Sequence, residues 1–141
     1  MRLFHMVALS LLATSSAFAD DCKPGFFSMD LCVEAEKARQ EITLILPQVM
    51  TPSMTWKSVA AAGPRLIGSI VWEMPVATLD ERLKAANKTR PDLADELVEF
   101  TKTILCGQKL FYDFIEAGGV FQFDYKSQDD VTVASIPVSD C

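Results

Sequence analysis

The residue types that most often carry catalysis are scarce in this sequence. His5 is the sole histidine among the 141 residues, and it lies in an N-terminal segment that we expect to be removed. Ser-His and Cys-His nucleophiles, imidazole acid–base catalysis and histidine metal sites are therefore excluded from the rest of the chain. Gly-x-Ser-x-Gly, Ser-x-x-Lys and glycine-rich phosphate-binding motifs are absent as well. We expect no cofactor and no metal ion.

Carboxylates are the remaining groups that could act as acids and bases. A glycosidase needs two of them, one with a raised pKa, and the conceivable members here are Glu34, Glu36, Glu73, Glu99 and Asp124. Acids interleaved with bases on a helix are typical of a solvated face. The neighbours of Asp129 and Asp130 lack the alternating Asp-x-Asp-x-Asp-Gly pattern of a calcium loop, so this pair indicates a turn. A small carbohydrate-active or cell-wall enzyme using paired carboxylates is therefore an alternative hypothesis.

The N-terminal segment has the features of a secretory signal peptide, which we assign to residues 1–19. Arg2 supplies the positive start, residues 3–13 are apolar, and Ala17-Phe18-Ala19 forms a small-x-small cleavage site. No other stretch is apolar for long enough to span a membrane. The sequence predicts a bacterial protein that is periplasmic or secreted, with one domain over residues 20–141.

The predicted mature chain is acidic. Twelve basic and nineteen acidic residues remain after cleavage, a net charge of −7. Such a surface argues against nucleic acid and anionic membranes as partners. It favours another periplasmic or extracellular protein with basic character, or a cationic ligand, although an acidic surface also serves solubility.

Four cysteines, Cys22, Cys32, Cys106 and Cys141, lie in the predicted mature chain. An even number in a small exported domain predicts two disulfides, and oxidised cysteines cannot serve as thiolates. Of the three possible pairings we favour Cys22–Cys32, which closes a loop onto the start of a helix, and Cys106–Cys141, which ties the C-terminal tail to a helix. From the loop entropy, we expect these two bonds to stabilise the folded state by roughly 3 and roughly 4 kcal/mol, respectively.

Hydrophobic periodicity predicts the elements between the cysteines. Asp30 is an N-cap for an amphipathic helix that Pro47 stops. Residues 48–75 read either as a hairpin around Gly63-Pro64 or as a helix over 52–62 followed by a strand, and β-branched residues and tryptophan favour the hairpin. Helices then follow from Thr78, with a capping box to Glu81, and from Thr89 onwards.

The stretch 118–141 predicts a second hairpin. Phe121, Phe123 and Tyr125 alternate with polar residues, a polar turn follows at 127–130, and residues 131–136 run back. A register with Tyr125 opposite Thr132 would also place Phe123 opposite Ala134 and Phe121 opposite Ile136. The order helix, hairpin, helices, hairpin predicts an α+β fold with a four-stranded antiparallel sheet and helices on one face.

This ending resembles that of a set of short exported bacterial proteins. The shared features are a helix with Cys106, Gly118-Gly119, the Phe-x-Phe-x-Tyr strand, a polar turn, Val-Thr-Val and Asp140-Cys141. The resemblance covers about the last forty residues, and this chain lacks the glycine that is common in the turn. It implies the hairpin and the Cys106–Cys141 bond, and it implies no function because none is established for that group.

Protein binding is the leading functional hypothesis. We predict a non-enzymatic binding module of the inhibitor, immunity or assembly-accessory type, and a carrier of a small apolar ligand is a further alternative. Tryptophan on an open sheet face would anchor a partner, although core packing is the commoner role in so small a domain. The candidate partner-binding residues are Trp56, Trp72, Asp124, Asp129 and Asp130.

Overall fold

The computed structural model describes Cys22 and residues 30–141. The predicted signal peptide, residues 1–19, lies outside the described residues, so its assignment stays a prediction. The elements follow in the order α1 (Leu31–Ile45), β1 (Gln48–Thr51), β2 (Met54–Ala62), β3 (Arg65–Trp72), α2 (Val76–Ala85), α3 (Arg90–Cys106), α4 (Lys109–Glu116), β4 (Val120–Lys126) and β5 (Thr132–Val138).

Helix α1 begins and ends where the sequence predicts. The Asp30 carboxylate accepts hydrogen bonds from the backbone N–H groups of Cys32 and Val33, at 3.0 and 3.3 Å, and so satisfies two donors of the first turn. The helix stops before Pro47, which has no N–H to continue the ladder. Its buried residues recur at helical spacing: Leu31, Ala35, Ala38 and Ile42.

The segment 48–75 forms the hairpin that the sequence favours, together with a strand that the sequence does not predict. Strands β2 and β3 pair antiparallel around Gly63, which takes a φ of 59° in the turn. The unpredicted strand is β1, whose four residues pair with the start of β2. Four residues are too few to establish an alternating pattern.

The start of α2 differs from the predicted capping box. The helix begins at Val76, two residues before Thr78, and no side chain of its own caps it. Asp129 caps it instead, accepting a hydrogen bond from the Val76 N–H at 2.9 Å. A capping box does occur in α3, where Thr89 and Asp92 bind each other's backbone N–H groups.

The predicted four-stranded antiparallel sheet is wrong. The sheet has five strands in the order β1-β2-β3-β4-β5, and β3 and β4 run parallel. The reason is the crossover through α2, α3 and α4. It starts where β3 ends and returns the chain to the end of the sheet at which β3 begins. A strand that follows such a crossover enters the sheet in the same direction as the strand before it.

The register of the last hairpin is also shifted from the predicted one. Tyr125 lies opposite Ala134, Phe123 opposite Ile136 and Phe121 opposite Val138. The cause is the turn: Ser127 and Val131 bond through their backbones at 2.9 Å, Asp130 adopts a φ of 63°, and β5 starts at Thr132. Because the shift is two residues at these three pairs, their side chains keep the predicted face of the sheet, while a bulge between Tyr125 and Lys126 changes the register next to the turn.

Aromatic side chains fill the space between the sheet and the helices. Trp56 meets Phe111, Phe121 and Phe123 edge to face, with ring centroids 6.0, 6.0 and 5.0 Å apart. Gly68 makes this packing possible, because a Cβ there would lie 2.7 Å from the Phe123 ring and 3.0 Å from the Trp56 Nε1. The buried strand residues alternate with partly exposed ones along β3 and β4, so within residues 30–141 the helices cover one face and leave the other uncovered.

A buried hydrogen bond joins α3 to this core. The hydroxyl oxygens of Thr101 and Tyr125 lie 2.7 Å apart, and the Thr101 hydroxyl donates to the Leu97 carbonyl at 2.6 Å. Since a threonine hydroxyl has one proton, Tyr125 is the donor to Thr101. Burial raises the pKa of the Tyr125 phenol to about 12.

The cysteines pair as Cys22–Cys32 and Cys106–Cys141, with Cα–Cα distances of 5.5 and 5.7 Å. The first bond holds Cys22 to the first turn of α1. The second joins the last residue of α3 to the segment after β5, and a Lys102–Asp140 ion pair at 3.0 Å supports the same contact.

Candidate functional site

The two tryptophans proposed as partner anchors lie in the core. Trp56 is 1% exposed and Trp72 is 6% exposed, both on the sheet face that the helices cover. Trp72 packs at 5.6 Å from Tyr125, centroid to centroid. Neither indole is on the uncovered face, which leaves the core role that the sequence analysis also considered.

Asp124 lies on the uncovered face of the sheet, in a short polar network. Gln122 donates from its Nε2 to the Asp124 carboxylate at 2.7 Å, and its Oε1 accepts from Arg65 at 2.5 Å. All three side chains are partly buried. The network links β3 to β4, and its hydrogen bonds hold Gln122 in one orientation.

Asp129 and Asp130 belong to the turn between β4 and β5. Hydrogen bonds from the Ser127 side chain and the Val76 N–H lower the pKa of Asp129, so this carboxylate is engaged in capping α2. Asp130 is exposed and lies 3.5 Å from the Lys126 ammonium. The five residues proposed for partner binding thus fall in three separate places, and the structure does not bring them together as one site.

A groove between α3 and the edge strand β1 is the feature that the sequence analysis missed. Its volume is about 260 Å³, and none of its lining residues is charged: Gln48, Val49, Met50, Trp56, Phe100, Ile104 and Gln108. Phe100 and Ile104 form the wall on α3, one helical turn apart, and Trp56 lies at the buried floor. Strand β1 forms the opposite wall: Gln48 lies on the same sheet face as Trp56, and Val49, which is 72% exposed, points to the other face.

Two further exposed apolar residues lie at the end of α1. Leu44 is 85% exposed and Ile45 is 57% exposed, and they precede β1 by a few residues. A surface of this kind beside an apolar groove is typical of a protein-binding site. We call the groove together with Leu44 and Ile45 the β1 surface.

A sequence signal for the β1 surface exists. The stretch Ile42–Trp56 has fifteen consecutive residues without a charge, the longest such run after residue 19, in a chain in which 23% of residues are charged. The run is not periodic, because it combines a helix end, a proline turn and a short strand. A search for helical or strand periodicity therefore passes over it.

Two other clefts have charged side chains in their linings. One, of about 260 Å³, lies where α2 meets α3 and contains Asp80, Lys84, Lys88 and Arg90; Arg90 hydrogen bonds lower the pKa of Asp80. The other, of about 250 Å³, lies between α1 and α4 and combines Glu34, Lys37 and Glu41 with Leu110 and Phe114. Both have ion-paired rims, which compete with a ligand for the same charges.

Where the surroundings shift the pKa of a carboxylate from its ordinary value, they lower it. Hydrogen bonds from Arg39 and Gln40 lower the pKa of Glu36 to about 2, and Lys57 lowers that of Glu73. A general acid needs the opposite shift. Over Cys22 and residues 30–141, no group of three or more Cys, His, Asp or Glu side chains is placed to hold a metal ion.

None of the helices in residues 30–141 has the length and apolar character needed to cross a membrane.

No protein-family model matches this chain, and no curated protein matches it in sequence. Its fold is similar to that of solved structures. A candidate secreted protein of Pseudomonas aeruginosa superposes with a TM-score of 0.60 at 15% identity, over 79% of this chain and 89% of that one.

Two pilotins of type II secretion systems share the fold too. AspS of Vibrio cholerae gives a TM-score of 0.57 at 13% identity, over 77% of this chain and 88% of that one. EpsS of Vibrio vulnificus gives 0.58 at 9% identity, over 77% and 87%. The chain therefore has a fold found in a candidate secreted protein and in secretion-system pilotins.

Proposed function

We propose that this protein is an exported, non-enzymatic accessory protein that binds another exported protein through the β1 surface. The observation that carries the proposal is the uncharged groove between β1 and α3, together with the exposed side chains of Leu44 and Ile45, which directly precede the Leu46-Pro47 link to β1. Exposed apolar surface of this kind is stabilised when a partner removes it from water.

The groove suits a polypeptide better than a small ligand. Its volume of about 260 Å³ is below the roughly 300–1,000 Å³ of typical small-molecule sites. One wall is the edge strand β1, whose outer backbone groups can pair with an extended segment. A partner side chain can at the same time lie between Met50, Phe100 and Ile104, above Trp56.

The accessory role is supported by the likeness to two pilotins, which are components of type II secretion systems. Of the three kinds of binding module, an assembly accessory fits this likeness best. The partner is uncharged where it enters the groove and basic at its flanks, since the lining is uncharged while the predicted mature chain carries a net charge of −7. The protein acts in the periplasm or outside the cell.

The test is capture of a partner from a periplasmic extract, comparing two glutamate variants on the same helix. Ile104→Glu places a charge in the groove wall, and Val98→Glu places the same charge at a position on α3 that is 42% exposed and outside the groove lining. We expect the wild type and Val98→Glu to capture the same protein, and Ile104→Glu to lose it. Raised salt should weaken the capture by screening the basic flanks.

Ile104 is partly buried, so the thermal midpoint of each variant is measured beside the capture. Gln48→Glu, at an exposed groove position opposite Trp56, serves if Ile104→Glu is unfolded. The proposal is wrong if no protein is captured at low salt, or if the groove variants and Val98→Glu capture the partner equally well.

A further inference from the structure

We infer that the cleft between α1 and α4 binds a lysine or arginine side chain from the basic flank of the partner. The inference rests on the proposed function and deepens it, because it places one part of the same partner. The cleft has a volume of about 250 Å³ and combines an apolar lining with carboxylates on both of its helices.

Each helix contributes one face to the cleft. On α1, Glu34, Ala38 and Glu41 recur at helical spacing, and on α4 Leu110 and Asp113 lie one turn apart. Both walls therefore place a carboxylate beside an apolar residue.

The apolar lining suits the aliphatic stem of a basic side chain. Ala38 and Phe114 are buried, and Leu110 is 45% exposed. Lysine and arginine cover apolar surface with their methylene groups while the charged end stays in water. A metal ion fits the cleft poorly, since ions such as Ca²⁺ need several oxygen ligands around one point. In the part of the chain that the structure describes, no group of three or more His, Cys, Asp or Glu side chains is placed to hold one.

The carboxylates of the cleft exceed the cations that neutralise them. Glu34 binds Lys37 at 2.8 Å, and Asp113 binds Lys109 at 2.5 Å, each within its own helix. Glu41 forms no ion pair within residues 30–141. Both lysines are exposed, and exposed ion pairs are weak, so they compete little with a cation from the partner. The net charge of −7 on the predicted mature chain also attracts a cation.

On both helices the cleft lies next to residues of the β1 surface. Glu41 is one helical turn before Leu44 and Ile45, a spacing at which Cβ atoms are about 5–6 Å apart. On α4, Leu110 follows the groove residue Gln108 by two positions. The basic flank of a segment bound in the groove can therefore extend to the cleft.

Methyl NMR of the disulfide-bonded protein, titrated with end-blocked tripeptides, tests the inference. We expect a tripeptide of alanine, arginine and alanine to shift the methyl signals of Ala38 and Leu110 saturably at about 0.02 M salt, and to bind more weakly at about 0.5 M. The matched tripeptide with norleucine in place of arginine has an apolar side chain without charge, and it should shift these signals little.

Two double variants with the same change of charge separate the cleft from the overall field of the protein. Glu41→Gln with Asp113→Asn should raise the dissociation constant of the arginine tripeptide at least about fivefold. Glu99→Gln with Asp95→Asn changes two exposed carboxylates on α3 outside the cleft lining. This control should change the constant less than about twofold, because salt screens distant charges.

Three results would overturn the inference: equal shifts from the arginine and norleucine tripeptides, no shift of the cleft methyl signals, or equal effects of the two double variants. Tighter binding of the diamine putrescine than of the arginine tripeptide would overturn it as well, because the cleft would then hold a small cation. The titration needs no partner and the capture needs no tripeptide, so the inference and the proposed function can fail separately.

Discussion

The two edges of the sheet are built in opposite ways. At β5 the edge strand contains Pro137, the Cys106–Cys141 bond ties the segment after it to α3, and the Lys102–Asp140 ion pair lies beside that bond. At β1 the edge strand has four residues and an uncharged groove, and Leu44 and Val49 are largely exposed. We call β5 the closed edge, because a disulfide and an ion pair fix the segment after it, and β1 the open edge, to which we assign the proposed binding.

Removing the disulfide at the closed edge should lower the free energy of unfolding more than any other change proposed below. Replacing Cys106 and Cys141 together by serine should lower the free energy of unfolding by about 2–5 kcal/mol, because the bond closes a loop of 35 residues. Replacing Cys22 and Cys32 should lower it less, since their separation is 10 residues. Urea unfolding of the two variants under non-reducing conditions gives both values. A larger loss from the second pair would contradict this ranking.

Adding a methyl group at Gly68, beneath the groove, should lower the free energy of unfolding by a moderate amount. Gly68→Ala brings a Cβ to 2.7 Å from the Phe123 ring, so the aromatic cluster must move, at a cost of about 1–3 kcal/mol. Ser69→Ala, on the next residue of β3 and on the uncovered face, is the matched control and should change the unfolding free energy little. Urea unfolding of both variants tests this, and equal stabilities would show that the packing around Trp56 is loose.

The Asp129 carboxylate, in the turn at the closed edge, should make the smallest contribution to the free energy of unfolding. It should make that contribution only above acidic pH. Hydrogen bonds lower the pKa of Asp129 in the folded state, so its carboxylate stabilises the fold above its unfolded pKa of about 3.9 and loses that contribution as the pH falls through the folded value. Asp129→Asn should therefore be less stable than the wild type at pH 6, with the difference shrinking towards pH 3. Asp130→Asn at the same turn is the control. A difference that does not vary with pH would contradict the capping role.

Local features of the fold could be predicted from the sequence, and long-range ones could not. The Asp30 cap and the Phe121, Phe123, Tyr125 alternation depend on neighbouring residues, and the structure contains both. The parallel pairing of β3 with β4 depends on where a crossover of three helices returns the chain. The register of the last hairpin depends on a left-handed conformation at Asp130, a position where glycine is the commoner residue.

The candidate site was harder to predict than the fold. Aromatic and acidic residues are plausible anchors in a sequence, but Trp56 is enclosed by three other rings and Asp129 caps a helix distant in the chain. The β1 surface is marked by what it lacks, namely charge and periodicity. Its groove forms only when Phe100 and Ile104 of α3 are placed beside Val49, which no local pattern reveals.

Hydrogen exchange of the protein, free and bound to its captured partner, tests the assignment of binding to the open edge most directly. We predict that binding slows exchange at Val49 and Met50 in β1 and leaves the β5 amides unchanged. Protection of β5, or of the strand segments around Asp124 on the uncovered face, without protection of β1 would contradict the account.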